Sequence, residues 1–473
     1  VSTVADPAPG GPAGCPAHAG GPGTRTSGPA PATQGRDGGY PSAAADGERP
    51  VDGKRPLDGE RPVDRREVIR LLRRLRSSEG QRDPLPVYRA FRQLGDLVPA
   101  PWGGWFVTGF DLAGQVLRGR DWLAPDIAWQ ERQPDPERWR APATREMSHT
   151  LSRLNAPGHT TQRRALGNLF DRTTLEAMRP GIEEHVDALL DGLEKALRAH
   201  GEADFAALVA DRLPIRTVGG WLGLAEEDHD RILGFTHRQV FAQELLPTSS
   251  QLAVSEAATL EMRAYFTGLL RHRRAHLGED VLSGWIRFWD DAHAGDREAA
   301  DRVLYHLTMF VTIASLETTA TLLSSSVALL LADPARWRWL REHPGHVGDA
   351  VEETLRYDPP IWLNSRIAAK DTVLGGVPVG RDSVVHVLYG AANHDPRRNP
   401  DPGSFDILRR GSQLTFGGGV HYCLGAALAR LEATTLLTRL LERFPTLRAA
   451  TDGPEYAPRM VFRRITSLKV TRS

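Results

Sequence analysis

The chain has 473 residues, enough to bury a large core, and its 59 basic residues equal its 59 acidic ones, so no charge excess points to nucleic acid or an acidic substrate. The usual domain size, about 100–200 residues, would allow two or three domains. The two cysteines, Cys15 and Cys423, make no disulfide framework, and the opening VSTVADPAPGGPAGCPAHAGGPG has neither a basic start nor a continuous apolar run; a signal peptide is not expected and a cytoplasmic location is.

Residues 1–64 are rich in Pro, Gly and Ala and carry a short period-six repeat, ERPVDGKRPLDGERPVDRR. Prolines block helix and ladder bonding while apolar residues are scarce, so this tail is expected to be disordered. In the basic segment 65–82, Val68, Ile69, Leu71, Leu72 and Leu75 form an apolar stripe between arginines. Such a helix suits a membrane surface or a partner, but a surface helix packed on the domain is the expected form.

From Asp83 onward the three-and-four spacing of apolar residues predicts a mostly helical chain, with helices over 174–198, 260–276, 296–331 and 425–443. Short strands are expected near 103–109, over 365–389 and in RRITSLKV. The fold class is therefore α+β, predominantly helical, with small sheets. Residues 105–148 are long for a connection and rich in Trp and Pro. In NAPGHTTQRR, His159 and Arg163 stand four apart on one side of a helix, where two stacked donors suit a carboxylate; an ordinary solvated basic face has the same spacing.

The run Val303–Leu331 is long enough to cross a bilayer but holds Glu317 near its middle. Carboxylate burial in lipid costs about 2.5–3.5 kcal/mol, so a core helix is expected. An isolated acid in a greasy helix needs a task or a partner, and either a chemical role or an arginine neighbour satisfies it. In EETLRYDPPIWLNSR, Glu353 and Arg356 are three apart and can pair, although Glu67/Arg70 and Glu137/Arg140 share that spacing.

Cys423 lies in FGGGVHYCLGAALARLEA, at the mouth of a helix that Pro445 stops. Free N–H groups and the macrodipole there favour a thiolate, and Gly417, Gly418 and Gly419 let the preceding loop fold tightly and aim amides at the sulfur. An inert buried cysteine, a nucleophile activated by His421, and a zinc ligand short of partners all remain open, as does an axial ligand to heme iron.

The order Phe416, Gly419, His421, Cys423, Gly425, read as F-x-x-G-x-H-x-C-x-G, resembles the heme-binding loop of the cytochrome P450 family, in its soluble bacterial form. TIASLETTA, LRYDPP followed by Arg366, ANHDP and PRMVFRRITSLKV follow in family order, and the resemblance covers Asp83 to Val470. It implies a heme-thiolate monooxygenase domain over 83–473 with heme b as cofactor and Cys423 as the iron ligand. Phe416, Gly417 and Gly425 would shape the loop, and His159, Arg163, Arg366 and His421 would meet the propionates. Glu353, Arg356 and Arg409 would form a structural ion cluster. Glu317 and Thr318 would deliver protons during dioxygen activation. Ser315 stands where the family usually has glycine and would narrow that place or add a hydroxyl.

By the same resemblance the substrates are dioxygen and a small, largely apolar molecule of secondary metabolism, met by Val311, Ala314, Ile361, Trp362, Leu363 and Val461. Electrons would come from a ferredoxin or flavodoxin-type donor docking near Arg397, Arg398 and Arg410. No nucleic-acid or membrane partner is expected. A non-catalytic auxiliary protein and a peroxide-driven oxygenase are the rivals, and both are disfavoured by the acid–alcohol pair, for which neither has a use.

Overall fold

The computed structural model describes residues 63–133 and 139–472; nearly all of the Pro/Gly-rich tail lies outside them. Helix α1, Arg65–Arg76, starts where the Asp64 side chain accepts the Arg66 N–H at 2.8 Å. Its apolar stripe is buried: Val68, Leu71, Leu72 and Leu75 pack with Val87, Tyr88 and Phe91 of α2, Leu85–Gln93. Its apolar face is thus spent on the protein's own core.

Helices α3 (Phe110–Arg118), α4 (Gly158–Ala165), α5 (Arg172–His200), α6 (Arg212–Leu222), α7 (His229–Gln239), α8 (Ser249–Ala275) and α9 (Val281–Ala292) lead to α10, Arg297–Leu331, a 35-residue rod capped by Asp296. After it come α11, Val347–Tyr357, and α12, Ala426–Arg443. Helix α8 begins eleven residues before the apolar periodicity predicts. Alanines and serines blur the pattern there, and a capping box between Thr248 and Gln251 sets the start.

By length and composition α10 could cross a membrane, but 72% of its apolar window is buried within the protein. It is a core helix, packed against α6, α8, α9, α11 and α12. One core joins α5, α10, α11 and α12 through residues such as Leu190, Leu323, Val351 and Leu436; a second joins α6 to α9 with the first half of α10.

The main sheet takes β1 (Leu97–Pro99), β2 (Trp105–Val107), β3 (Trp122–Leu123), β4 (Leu363–Ala368) and β5 (Val384–Leu388) in the spatial order β1-β2-β5-β4-β3. Only β2 and β5 run parallel, with Trp105 opposite Val385; β4 and β5 are antiparallel, with Arg366 opposite Val385. A three-stranded sheet sets Lys469–Arg472 between Glu202–Asp204 and Leu447–Ala449, fixing the C-terminal segment to the chain that follows α5. Trp362, expected at the substrate pocket, is fully buried instead, edge-on to Tyr88 with ring centroids 5.9 Å apart. It anchors the turn into β4.

Candidate active site

The loop before α12 is held from behind by an ion cluster. Glu353 receives Arg356 through two hydrogen bonds of 2.7 Å and Arg409 Nε at 3.1 Å, all three groups nearly sealed from water. Arg356 spends its remaining N–H groups on the carbonyls of Asn393, Pro402 and Ser404. Buried charges cost stability unless fully hydrogen-bonded, and here they are. The Asn393 side chain in turn accepts the Leu414 N–H at 2.9 Å and donates to Thr415 Oγ1 at 3.0 Å, so the cluster fixes the loop one step removed.

Within the loop, Cys423 N donates to the Phe416 carbonyl at 2.9 Å and Gly417 N to Leu414 at 2.7 Å. Gly417 and Gly419 have φ of 73° and 63°, where a side chain is strained, and a Cβ at Gly419 would stand 2.7 Å from the Leu117 carbonyl. Gly418 differs from expectation: its backbone is extended, and glycine is needed because a Cβ would lie 2.9 Å from Arg118 Cγ. Gly425 has an ordinary φ and serves as the N-cap of α12. Arg430 of α12 stacks over Phe416, 4.4 Å from guanidinium carbon to ring centroid.

Cys423 has exposed surface, and that surface faces a cleft rather than the outside. The cleft holds about 660 Å³ free of protein atoms, part of it open to solvent, between Cys423 and Phe416 on one side and Thr318 and Leu322 of α10 on the other. Burial pushes the Cys423 thiol up, more than the Gly425 N–H and the Arg163 and Arg430 guanidiniums pull it down. A metal bound at the sulfur would displace the thiol proton.

Around the cleft stand cations and donors without anions. Arg366 is buried and bonds only to the Asn364 side chain at 3.3 Å and its neighbour's carbonyl at 2.9 Å; burial holds its pKa below the usual arginine range. Among the described residues no carboxylate pairs with Arg366 or Arg163. The rings of His159 and His421 stand 4.3 Å apart, and the buried His159 Nε2 has no hydrogen-bond partner. Burial, together with Arg366, His159, Arg163 and Arg153, pushes His421 down to about 3, so it is a neutral donor near pH 7. Arg366 and His421 line the cleft, His159 lies against His421 and Arg163 acts on it, and no counter-charge among the described residues meets them, a strong demand for an anionic ligand. Tyr389 and Asn364 join them: the phenol bonds to Asn364 and lines the same cleft. Neither was read from sequence, where a tyrosine at the end of β5 and an asparagine in β4 carry no local signal.

Thr318 lines the cleft, its Oγ1 donating to the Ala314 carbonyl at 2.7 Å. Ser315 Oγ donates in the same way to Val311 at 2.7 Å, so both hydroxyls turn their hydrogens onto the helix and keep lone pairs to accept. Glu317 has the arginine neighbours that one of its two sequence readings required. It is 1% exposed, accepts His237 Nδ1 at 2.8 Å and Arg459 at 3.2 Å through Oε1, and has Arg464 3.8 Å from Oε2. Burial alone would raise its pKa; Arg459, His237 and Arg464 outweigh that and hold the carboxyl well below the usual range. It is not among the cleft-lining residues. Of the expected substrate contacts, Ile361 lines the cleft, whereas Leu363 is a buried core residue. Of the expected docking arginines, Arg397 is committed to Asp395 and Asp96, while Arg410 is exposed.

A helix-dominated fold sets a cysteine before a helix, in a cleft against a long central helix, with cations beside it that no carboxylate among the described residues pairs, an arrangement suited to an anionic prosthetic group. The comparisons agree. The Cytochrome P450 family profile matches residues 347–470. The biotin biosynthesis cytochrome P450 of Bacillus subtilis (strain 168) is 31% identical over 84% of this chain and 98% of its own length. Nocardicin C N-oxygenase of Nocardia uniformis subsp. tsuyamanensis is 35% identical over 75% of this chain and 85% of its own. The crystal structure of P450BioI in complex with an acyl carrier protein carrying hexadec-9Z-enoic acid superposes with a TM-score of 0.76 at 28% identity, covering 84% of this chain and 100% of that one. The chain belongs to the cytochrome P450 family and is a P450 monooxygenase. The family's cofactor is heme.

Proposed function

We propose that this chain is a heme b monooxygenase that oxidises a small, largely apolar molecule of secondary metabolism with dioxygen and electrons from a ferredoxin or flavodoxin-type donor in the cytoplasm. The single observation that carries the reading is the ring of His159, Arg163, Arg366 and His421, without a carboxylate among them, around a cleft whose wall carries Cys423. Cys423 would ligate the iron and those four side chains would hold the propionates. When bound, the heme supplies dioxygen activation and the transfer of one oxygen atom to substrate.

The remaining roles belong to the chain's own residues. Thr318 holds a proton at Oγ1 on the cleft side of α10, and Glu317 resupplies it through Oε2, the oxygen with no hydrogen-bond partner. Ser315, its hydroxyl committed to Val311, acts through the bulk it places about two turns before Leu322 of the wall. Ile361 and Ala314 offer apolar surface to substrate. Arg410 and Arg398 remain as docking charges for the electron donor, so the reduction rate should fall as salt rises. The relatives range from biotin biosynthesis to N-oxygenation, and the fold does not choose among such outcomes.

The test is spectroscopic. Heme-loaded protein reduced under carbon monoxide should show the thiolate-type absorption band, and Cys423→Ser should lose it while keeping the fold. A histidine-type band in the unsubstituted protein would overturn the assignment.

A further inference from the structure

We infer that His237 is the port through which protons pass from water to Glu317, a role that rests on Glu317 acting as the acid of the proposed oxygenation site. Glu317 is 1% exposed, whereas the His237 side chain is 27% exposed and is not among the residues lining the cleft. The acid therefore meets bulk water only through its contacts. These are Arg459, Arg464 and His237. Guanidinium groups donate hydrogen bonds but do not give up a proton in a protein, while imidazole releases and recovers one near neutral pH. Of the three, only His237 can relay.

The surroundings set the ring's tautomer. Arg464, tied to Asp211 by two hydrogen bonds of 2.7 Å, directs its NH2 at His237 Nε2 at 3.4 Å. A guanidinium only donates, so Nε2 accepts, and the ring hydrogen lies on Nδ1, 2.8 Å from Glu317 Oε1. Arg459 donates to the His237 backbone carbonyl at 3.0 Å and fixes that stretch of α7 over the acid. The neighbouring Arg238 is paired with Glu261 of α8 at 2.7 and 2.9 Å, and so does not compete for Glu317. The step balances: hydronium gives a proton to Nε2 and leaves as water while the Nδ1 proton moves to Oε1, so the ring keeps its charge; Arg464 yields Nε2 for the transfer, and a turn of the ring restores an N–H at Oε1. No oxidant or reductant takes part.

The test uses heme-loaded protein carrying His237→Gln, with Glu317→Gln beside it. Glutamine at 237 can still donate an N–H to the carboxylate but cannot relay a proton. The expected result is donor-driven turnover slowed about tenfold, a larger solvent deuterium isotope effect, and a changed pH profile. Turnover driven by hydrogen peroxide, which brings its own protons, should be unchanged. Nitrogen NMR of histidine-labelled unsubstituted protein should show the Nδ1–H tautomer at 237. If Glu317→Gln slows turnover while His237→Gln changes neither rate nor isotope effect, the port is refuted and the acid stands. If neither variant slows turnover, the reading of Glu317 fails and the port with it. An Nε2–H tautomer overturns the port even should His237→Gln not fold.

Discussion

Replacing Arg366 by Met separates a cation that holds a ligand from one that holds the fold. In the structure its guanidinium is buried, faces no carboxylate, and makes hydrogen bonds of 3.3 and 2.9 Å to Asn364 and Ser365 only. Methionine keeps most of the apolar stem. Without a ligand the substitution removes a desolvated charge and should leave the apoprotein as stable as before, or more stable by about 1–4 kcal/mol. With a propionate in place the same change breaks a buried, hydrogen-bonded charge pair, which costs about 2–5 kcal/mol. At roughly 1.4 kcal/mol per decade that is about a 30-fold to 4,000-fold loss of heme affinity. Urea unfolding of the apoprotein reads the first effect, and the rate of heme transfer to excess apomyoglobin reads the second. Apoprotein destabilised by about 2 kcal/mol or more, with heme transfer unchanged, would refute the assignment and make Arg366 a structural cation.

Three further substitutions test other parts of the site. Glu432 of α12 is buried with one oxygen unpartnered, and burial raises its pKa from 4.5 to about 7; an acid raised on folding loses stability as pH climbs from its unfolded value through the folded one. At roughly 1.4 kcal/mol per pH unit the loss approaches about 3 kcal/mol, and Glu432→Gln should flatten urea-unfolding stability between pH 4.5 and 7. Glu353→Gln leaves Arg356 and Arg409 without their shared carboxylate and should cost about 3–5 kcal/mol by urea titration; a loss under 1 kcal/mol would remove the cluster from the support of the heme loop. Ser315→Gly should alter the ratio of peroxide released to product formed by about twofold or more, because bulk is what the committed hydroxyl leaves it to contribute; an unchanged ratio makes it a passive substitution.

What could be read in advance was local. Phe416 to Gly425 are contiguous, so the geometry of the cysteine loop is written in one stretch, and the long apolar runs marked α5, α10 and α12 to within two residues. Contacts between distant segments left no such mark. His237 and Arg459 lie 80 and 142 positions from Glu317, and nothing around either announces the pairing. Trp362 looked like a pocket wall because it follows a double proline, yet its partner Tyr88 lies in α2. The balance of effects at the Cys423 thiol has a related cause. The helix end and amides that lower its pKa are visible in the sequence, whereas the desolvation that outweighs them depends on how the whole chain closes.

The acid–alcohol pair shows how local and distant constraints combine. Consecutive residues on an α-helix point about 100° apart, so with Thr318 on the cleft Glu317 must face elsewhere, into the packing of α7 and the C-terminal segment. A carboxylate there is tolerable only with cations around it, and the structure supplies Arg459 and Arg464. Those cations depress its pKa, so Glu317 stabilises the fold above an ordinary carboxylate's pKa and loses that contribution only as pH falls through its lowered value. At neutral pH it stays ionised, the form that accepts a proton and passes it on but holds none in reserve. Stability and proton supply thus make opposite demands on one side chain. A partly exposed imidazole beside it meets both, because it can feed the carboxylate one proton at a time without discharging the cations that keep it buried.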